Sequence, residues 1–158
     1  MNTNNMEDIV EKYSDMILRI AYQNLKNKTG AEDILQEVFV KLISVKNRPL
    51  EEEHLKAWLI RVTVNLCKNY WKAAWIRKTV PLEENWLQIS ENNITLWEEL
   101  WSLPAKYRNT LYLYYYEGYT VPEISVILQI PLNTAYTHLQ RAKEKLKVII
   151  LEEEESDE

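Results

Sequence analysis

TVPEISVILQIPLNTAYTHLQRAKEKLK, residues 120–147, reads as a short helix, a three- to four-residue connection and a longer helix. Thr120 and Glu123 have the spacing of a capping box, in which the hydroxyl accepts from the third helical amide and the carboxylate reaches back. Ile124, Ile127 and Leu128 form the buried side of the first helix. Ile130-Pro131 turns the chain, because proline disfavours a helical predecessor. In the second helix, about 132–150, Ala135, Leu139, Ala142 and Leu146 fall on one stripe, and its small alanines allow close helix approach. The other side carries Asn133, Tyr136, Thr137, His138, Gln140, Arg141 and Lys143, side chains suited to phosphates and base edges. This is helix–turn–helix geometry, which lays its second helix in a DNA major groove. A helix pair with a merely solvated polar face fits the same pattern.

Upstream, Leu96, Leu100 and Leu103 give helical spacing over 94–103. Pro104 restarts a helix through Glu117, whose Leu111, Leu113 and tyrosine run 112–116 suit core and interface packing, with Gly118 as its C-cap. From Thr79 to about Asn93 the period fades, which marks a linker. The first half is again helical. Ile9, Tyr13, Met16, Ile17, Ile20 and Ala21 define a face over about 6–26, and Lys28-Thr29-Gly30 is expected to break it. A second helix, about 31–45, turns Ile34, Leu35, Val38, Phe39 and Leu42 inward and ends at Asn47-Arg48-Pro49. A third, about 54–76, buries Leu55, Trp58, Leu59, Val62 and Leu66. The fold class is therefore all-α, two small helical domains joined by a linker, the second a winged-helix-like four-helix helix–turn–helix unit. The boundaries are 1–78, a linker 79–93, 94–151 and an acidic tail 152–158.

Composition bounds what such a chain does. It has 158 residues, with 19 basic and 24 acidic side chains and a net charge of −5, at first sight an objection to a nucleic-acid partner. The distribution answers it. Residues 1–80 carry +3 and 98–151 carry +1, whereas 81–97 carry −3 and the tail EEEESDE carries −6. Within 54–80, Lys56, Arg61, Lys68, Lys72, Arg77 and Lys78 occur without any acid and interleave with Tyr70, Trp71 and Trp75. Cations with aromatic faces can hold phosphates and receive unstacked bases; the same residues also suit a soluble rim over core tryptophans, the better account of Trp58. The tail reads as disordered and solubilising, with a sharper alternative in which it competes with DNA for the basic stretch.

Only two glycines, Gly30 and Gly118, leave no Gly-rich phosphate loop. The single cysteine, Cys67, excludes an internal disulfide and a Cys-based zinc cage, and with no histidine nearby it reads as a structural thiol. Glu32, Asp33 and Glu37 lack the Glu-x-x-His pairing of a carboxylate metal site. No nucleophile–base or metal constellation is present, so neither enzyme activity, a metal nor a cofactor is expected. No apolar run spans a bilayer and the polar start is no signal peptide, so a cytoplasmic protein is expected.

Four stretches together carry a family resemblance: AEDILQEVF (31–39), LKAWLIRVTVNLCKNYWK (55–72), LPAKYRNTLYLYYYEGYTVPEISVILQIP (103–131) and NTAYTHLQRAKEKLK (133–147). In this order and spacing the chain resembles the extracytoplasmic-function group of bacterial sigma-70 family RNA polymerase sigma factors, over nearly its whole length. The resemblance implies binding to core RNA polymerase and to promoter DNA, with an anti-sigma factor as a further partner. It implies that 31–43 docks on the coiled coil of the largest polymerase subunit through Asp33, Gln36, Glu37 and Lys41. It implies that 54–78 opens and reads the minus-ten element, with Asn65, Lys68, Asn69, Tyr70 and Lys72 at matching positions and Arg77 and Lys78 adding charge. The loop 47–54 resembles one that accepts a flipped base. Tyr136, Thr137, His138, Gln140 and Arg141 match readers of the minus-thirty-five element, and Lys106 and Arg108 are phosphate candidates.

The chain departs from the family in three places. Its recognition helix reads Asn133-Thr134-Ala135-Tyr136-Thr137-His138, where two expected cations are Tyr and His. The Arg-rich run is thinned to Lys72-Ala73-Ala74-Trp75-Ile76-Arg77-Lys78, and the loop carries Glu51, Glu52 and Glu53. Each lost phosphate contact lowers the log–log salt slope by roughly 0.9, so DNA affinity without polymerase is expected to be weak. Two other readings accompany the sigma factor: a stand-alone helix–turn–helix regulator, and a sigma-like interaction protein without DNA contact.

Overall fold

The computed structural model describes residues 5–45, 51–77 and 101–156, which divide between two compact units, Met1–Leu87 and Gln88–Glu158. The expected linker 79–93, the turn at Asn47-Arg48-Pro49, Lys78 and the helix over 94–100 lie outside the described residues.

The first unit begins with α1, Met6–Leu25. Asn5 caps it, accepting from the Glu7 amide at 3.0 Å, and Glu7 and Asp8 place negative charge where the helix dipole favours it. The helix stops at Lys26, in the left-handed region at φ 54°, whose amide donates to the Tyr22 carbonyl at 2.7 Å. Asn27 then caps α2, Lys28–Ser44, accepting from the Gly30 amide at 2.9 Å. This corrects the expected break. Lys28-Thr29-Gly30 is the first turn of α2, and the break is Lys26-Asn27, since Asn supplies a cap that makes a longer loop unnecessary.

Gly30 is required for another reason. A Cβ there would meet the Tyr70 hydroxyl at 3.0 Å and Leu25 Cδ1 at 3.2 Å. Tyr70 belongs to α3, Glu52–Arg77, so this glycine lets the third helix lie against the α1–α2 joint. The core joins Ile9, Met16, Ile17 and Ile20 of α1, Ile34, Val38 and Leu42 of α2, and Leu55, Leu59, Ile60 and Val64 of α3. Leu35, Phe39, Trp58 and Val62, expected inside, are only half-buried. Thr63 is buried in their stead, its hydroxyl donating to the Leu59 carbonyl one turn back. Burial pushes the Cys67 thiol up to about 12, which leaves it protonated and inert.

The second unit starts its described part at Trp101, and Pro104 precedes α4, Ala105–Leu111. The helix then widens into a π-helical turn, Tyr112–Tyr116, where the Glu117 amide donates to the Tyr112 carbonyl at 3.1 Å. Gly118, at φ 79°, turns the chain, and the Tyr119 amide donates back to the Leu113 carbonyl at 3.0 Å. The capping box is formed as spaced: the Glu123 amide donates to Thr120 Oγ1 at 3.3 Å, and the Thr120 amide to Glu123 Oε1 at 2.9 Å. It opens α5, Val121–Leu128, which ends on Gln129 at φ 55°. The Ser125 hydroxyl donates to the Ile130 carbonyl at 2.6 Å and holds the turn into α6, Leu132–Ser156.

Ala135 and Ala142 are fully buried and join Leu103, Tyr107, Leu111, Val121 and Leu139 in one core, so α4 and α6 meet across small residues. The described residues of this unit contain no strand and hence no β-wing. The last helix runs beyond the expected end near 150. It takes in Glu152–Glu155, which were read as disordered tail, because glutamate is a good helix former.

Candidate nucleic-acid interface

The α3 helix presents a basic stripe. Asn65, Lys68, Asn69 and Lys72 recur at helical spacing and are all exposed, while Leu59, Val64, Leu66 and Cys67 turn inward. Half-exposed Arg61, one of the cations of the acid-free stretch 54–80, lies one turn before Asn65 and extends the stripe beyond the expected minus-ten positions. The aromatic residues behave differently. Tyr70 is half-buried against Gly30, and the Trp71 indole N–H donates to the Asn24 carbonyl at 2.7 Å, at the end of α1. These rings position α3 as well as border its basic face. Arg77 lies in the last turn of α3.

On α6, Tyr136 (51% exposed), Gln140 and Arg141 stand on the open face. The half-buried Thr137 donates its hydroxyl to the Asn133 carbonyl at 2.9 Å, leaving its oxygen lone pairs to accept. His138 sits at the flank, its ring edge-on to Tyr107 of α4 with centroids 5.7 Å apart. Burial first, then Lys106 and Arg141, hold its pKa below the usual histidine value. Lys106 is exposed, its Nζ 5.2 Å from the Tyr107 ring.

Arg108 is a correction. Proposed as a phosphate contact, it is only 6% exposed, with one guanidinium N–H donating to the Trp101 carbonyl at 3.2 Å and Nε without a hydrogen-bond partner. Burial lowers its pKa to about 10. The spacing of Lys106 and Arg108 could not show that the second points inward, because that depends on where α4 meets its neighbours. Arg108→Met, which keeps the stem and removes a charge that must be desolvated, is expected to preserve stability and the salt dependence of DNA binding. Arg108→Ala is expected to cost about 1–3 kcal/mol through the space it leaves. Chemical denaturation of both variants checks this.

A third surface lies on α2. Asp33, Gln36, Glu37 and Lys41 are exposed and, with Val40, line a shallow groove. Val40 (61% exposed) and Ile43 (67%) are apolar residues on this outward face, outside the contact set expected from the sequence. Their positions four and seven residues after Gln36 carried the signal. Among the described residues no group of three His, Cys, Asp or Glu side chains is placed to hold a metal ion. No described helix is long and apolar enough to cross a membrane.

Comparison with known proteins gives the arrangement a context. Residues 9–76 match the family model for Sigma-70 region 2, and residues 95–146 that for Sigma-70, region 4. The chain is 29% identical over 161 residues to the ECF RNA polymerase sigma factor SigW of Bacillus subtilis, covering 89% of this chain and 86% of that protein. It is 27% identical to the ECF RNA polymerase sigma factor SigM of the same organism, covering 91% and 94%. Among solved structures, the sigma factor RpoE of Bartonella quintana, crystallised with the anti-sigma factor NepR, superposes with a TM-score of 0.68 at 16% identity, covering 91% of this chain and 95% of that one. This last likeness is one of fold. The two family matches fall in order, one within each helical unit, and together with the relatives they place the chain in the sigma-70 family of RNA polymerase sigma factors, in its extracytoplasmic-function group.

Proposed function

We propose that this protein is a promoter-specificity subunit that directs transcription initiation: it binds core RNA polymerase with its first unit and promoter DNA with both. The observation that carries the reading is the pair of donor-rich faces on α3 and α6, one on each unit, in a chain whose overall charge is negative. Nine of the 24 acids lie in 81–97 and 152–158 and none lies in 54–80, so the local field there can attract DNA even though the total charge does not.

Each surface has a distinct task. The α2 groove offers an apolar centre at Val40 within a polar rim, the anatomy of a protein–protein contact, and takes core polymerase. Lys68 and Lys72 hold the backbone at the minus-ten element, while Asn65 and Asn69 offer donors and acceptors to base edges exposed as the strands part. The α6 helix enters the major groove at the minus-thirty-five element, where Gln140 and Arg141 reach base edges and Tyr136 packs beside them. Polymerase supplies the catalysis, and the protein acts where polymerase is, in the cytoplasm. An anti-sigma factor covering α2 or α6 would block these contacts directly.

The test is reconstitution with core polymerase and mapping of transcript starts. Start-site-specific transcripts are expected. Arg141→Ala should lose about 1–3 kcal/mol of binding at promoters with an intact upstream element, and Lys72→Ala should lower the salt slope by about 1. Core binding without specific transcripts would favour an interaction protein, and tight specific duplex binding without polymerase would favour a stand-alone regulator. Equal losses on random DNA would contradict specific readout.

A further inference from the structure

Four groups on one flank of the second unit are arranged in a way that base reading by α6 does not require. Tyr107 is buried, and around its ring stand Lys106 Nζ at 5.2 Å, Lys145 Nζ at 5.9 Å and the His138 ring at 5.7 Å. Along α6, His138, Arg141 and Lys145 follow a spacing of three and four, so they form one continuous edge beside α4. Lys145 lay outside the sequence-based set of DNA contacts.

We propose that Lys106, His138 and Lys145, set around the Tyr107 ring, form a binding site for the DNA phosphodiester backbone, and that His138 takes up a proton from solvent when the backbone is bound. This rests on the reading of α6 as the upstream-element helix and deepens it. It makes the flank of that helix a phosphate site whose charge depends on pH.

The argument is electrostatic. Gathering cations around one ring is unfavourable in the free protein, and the ring's π-face offsets part of the repulsion. The charges acting on His138 are Lys106 from α4 and Arg141 from its own helix, both positive. The carboxylate of α5, Glu123, is engaged by Thr120 in the capping box. Glu144 lies about 120° around α6 from His138 by helical geometry. In the free protein His138 is therefore neutral near neutral pH. A phosphate brought against Lys106 and Lys145 reverses the sign of the local field and favours the imidazolium. Binding then takes up a proton, and by linkage affinity rises as pH falls through the histidine range.

The experiment measures promoter binding by reconstituted holoenzyme as a function of salt, at about pH 6 and about pH 8. The chains compared are wild type, Lys145→Ala, His138→Gln and Arg141→Ala. For wild type, the log–log salt slope should be steeper at the lower pH by about 0.9, one additional phosphate contact. That pH difference should vanish in His138→Gln, and Lys145→Ala should flatten the slope by a similar amount at both pH values. An identical pH difference in wild type and His138→Gln would overturn the proposal, as would an unchanged slope in Lys145→Ala. If Arg141→Ala leaves upstream-element specificity intact, the α6 reading fails and the phosphate site with it. If Arg141→Ala removes that specificity while the other two variants match wild type, the phosphate site alone fails. The chain has two histidines, His54 and His138, so NMR of the full chain supplies a measurement that needs no substitution. With excess duplex DNA the His138 midpoint should move up by about one pH unit or more, and a stationary His138 in the bound state would overturn the proposal.

Discussion

Val40→Lys is expected to weaken association with core polymerase by about thirtyfold or more while leaving the fold intact. Val40 stands on the outward side of α2, 61% exposed, so lysine there disturbs no core contact. The residue lies in a groove with Asp33, Gln36, Glu37 and Lys41, a surface whose acids suit a basic partner. Replacement removes the apolar centre of the proposed contact and sets an ammonium against the cations that a basic partner would bring. Like charges juxtaposed at an interface cost several kcal/mol, and about 2 kcal/mol already corresponds to about thirtyfold in affinity. Binding of labelled protein to core polymerase measures it, alongside circular dichroism to establish that helix content is kept. Unchanged affinity would remove the α2 groove from the polymerase contact. Promoter defects in this variant should be overcome at high protein concentration, because its DNA faces are untouched.

Ile124→Ala should act on the other unit. Ile124 is fully buried and is one of three inward residues, with Val121 and Ile127, that attach the eight-residue α5. A helix that short has no stability of its own and is held by tertiary packing. Removing most of a buried isoleucine side chain costs about 2–5 kcal/mol, the upper part where surrounding atoms do not collapse into the space. For a unit of this size, about 2 kcal/mol corresponds to a fall of about 10 °C or more in its melting temperature. The first unit has a separate core, so polymerase binding is expected to survive while use of the minus-thirty-five element is lost. Thermal unfolding combined with transcription from promoters with and without that element would show this. A uniform loss of both activities would mean that the two units do not fold independently.

Much of the architecture was legible from periodicity alone. Three- and four-residue spacing located α1, α3 and α5, and Thr120 with Glu123 announced the capping box, because these features depend on neighbours along the chain. The same locality explains the errors. The α1–α2 break was placed at the glycine, yet Gly30 is in a helix, and its missing side chain serves Tyr70, forty residues away. Glycine signals both a turn and a close approach, and only the partner tells them apart.

The interfaces divide in the same way. Sequence by itself determined the helical class, the segregation of acid from base, and the residues Asn65, Lys68, Asn69, Lys72, Gln140 and Arg141 that stand exposed on their helices. Helical spacing dictates which side chains share a face, and composition dictates the charge of that face. Tertiary structure alone decided that Arg108 is inside, that Trp71 is tied to Asn24, and that Lys106, His138 and Lys145 gather around Tyr107. Those facts depend on which faces of two different helices meet. Burial and the field at a titrating group are set by neighbours distant in the chain, which no local pattern records.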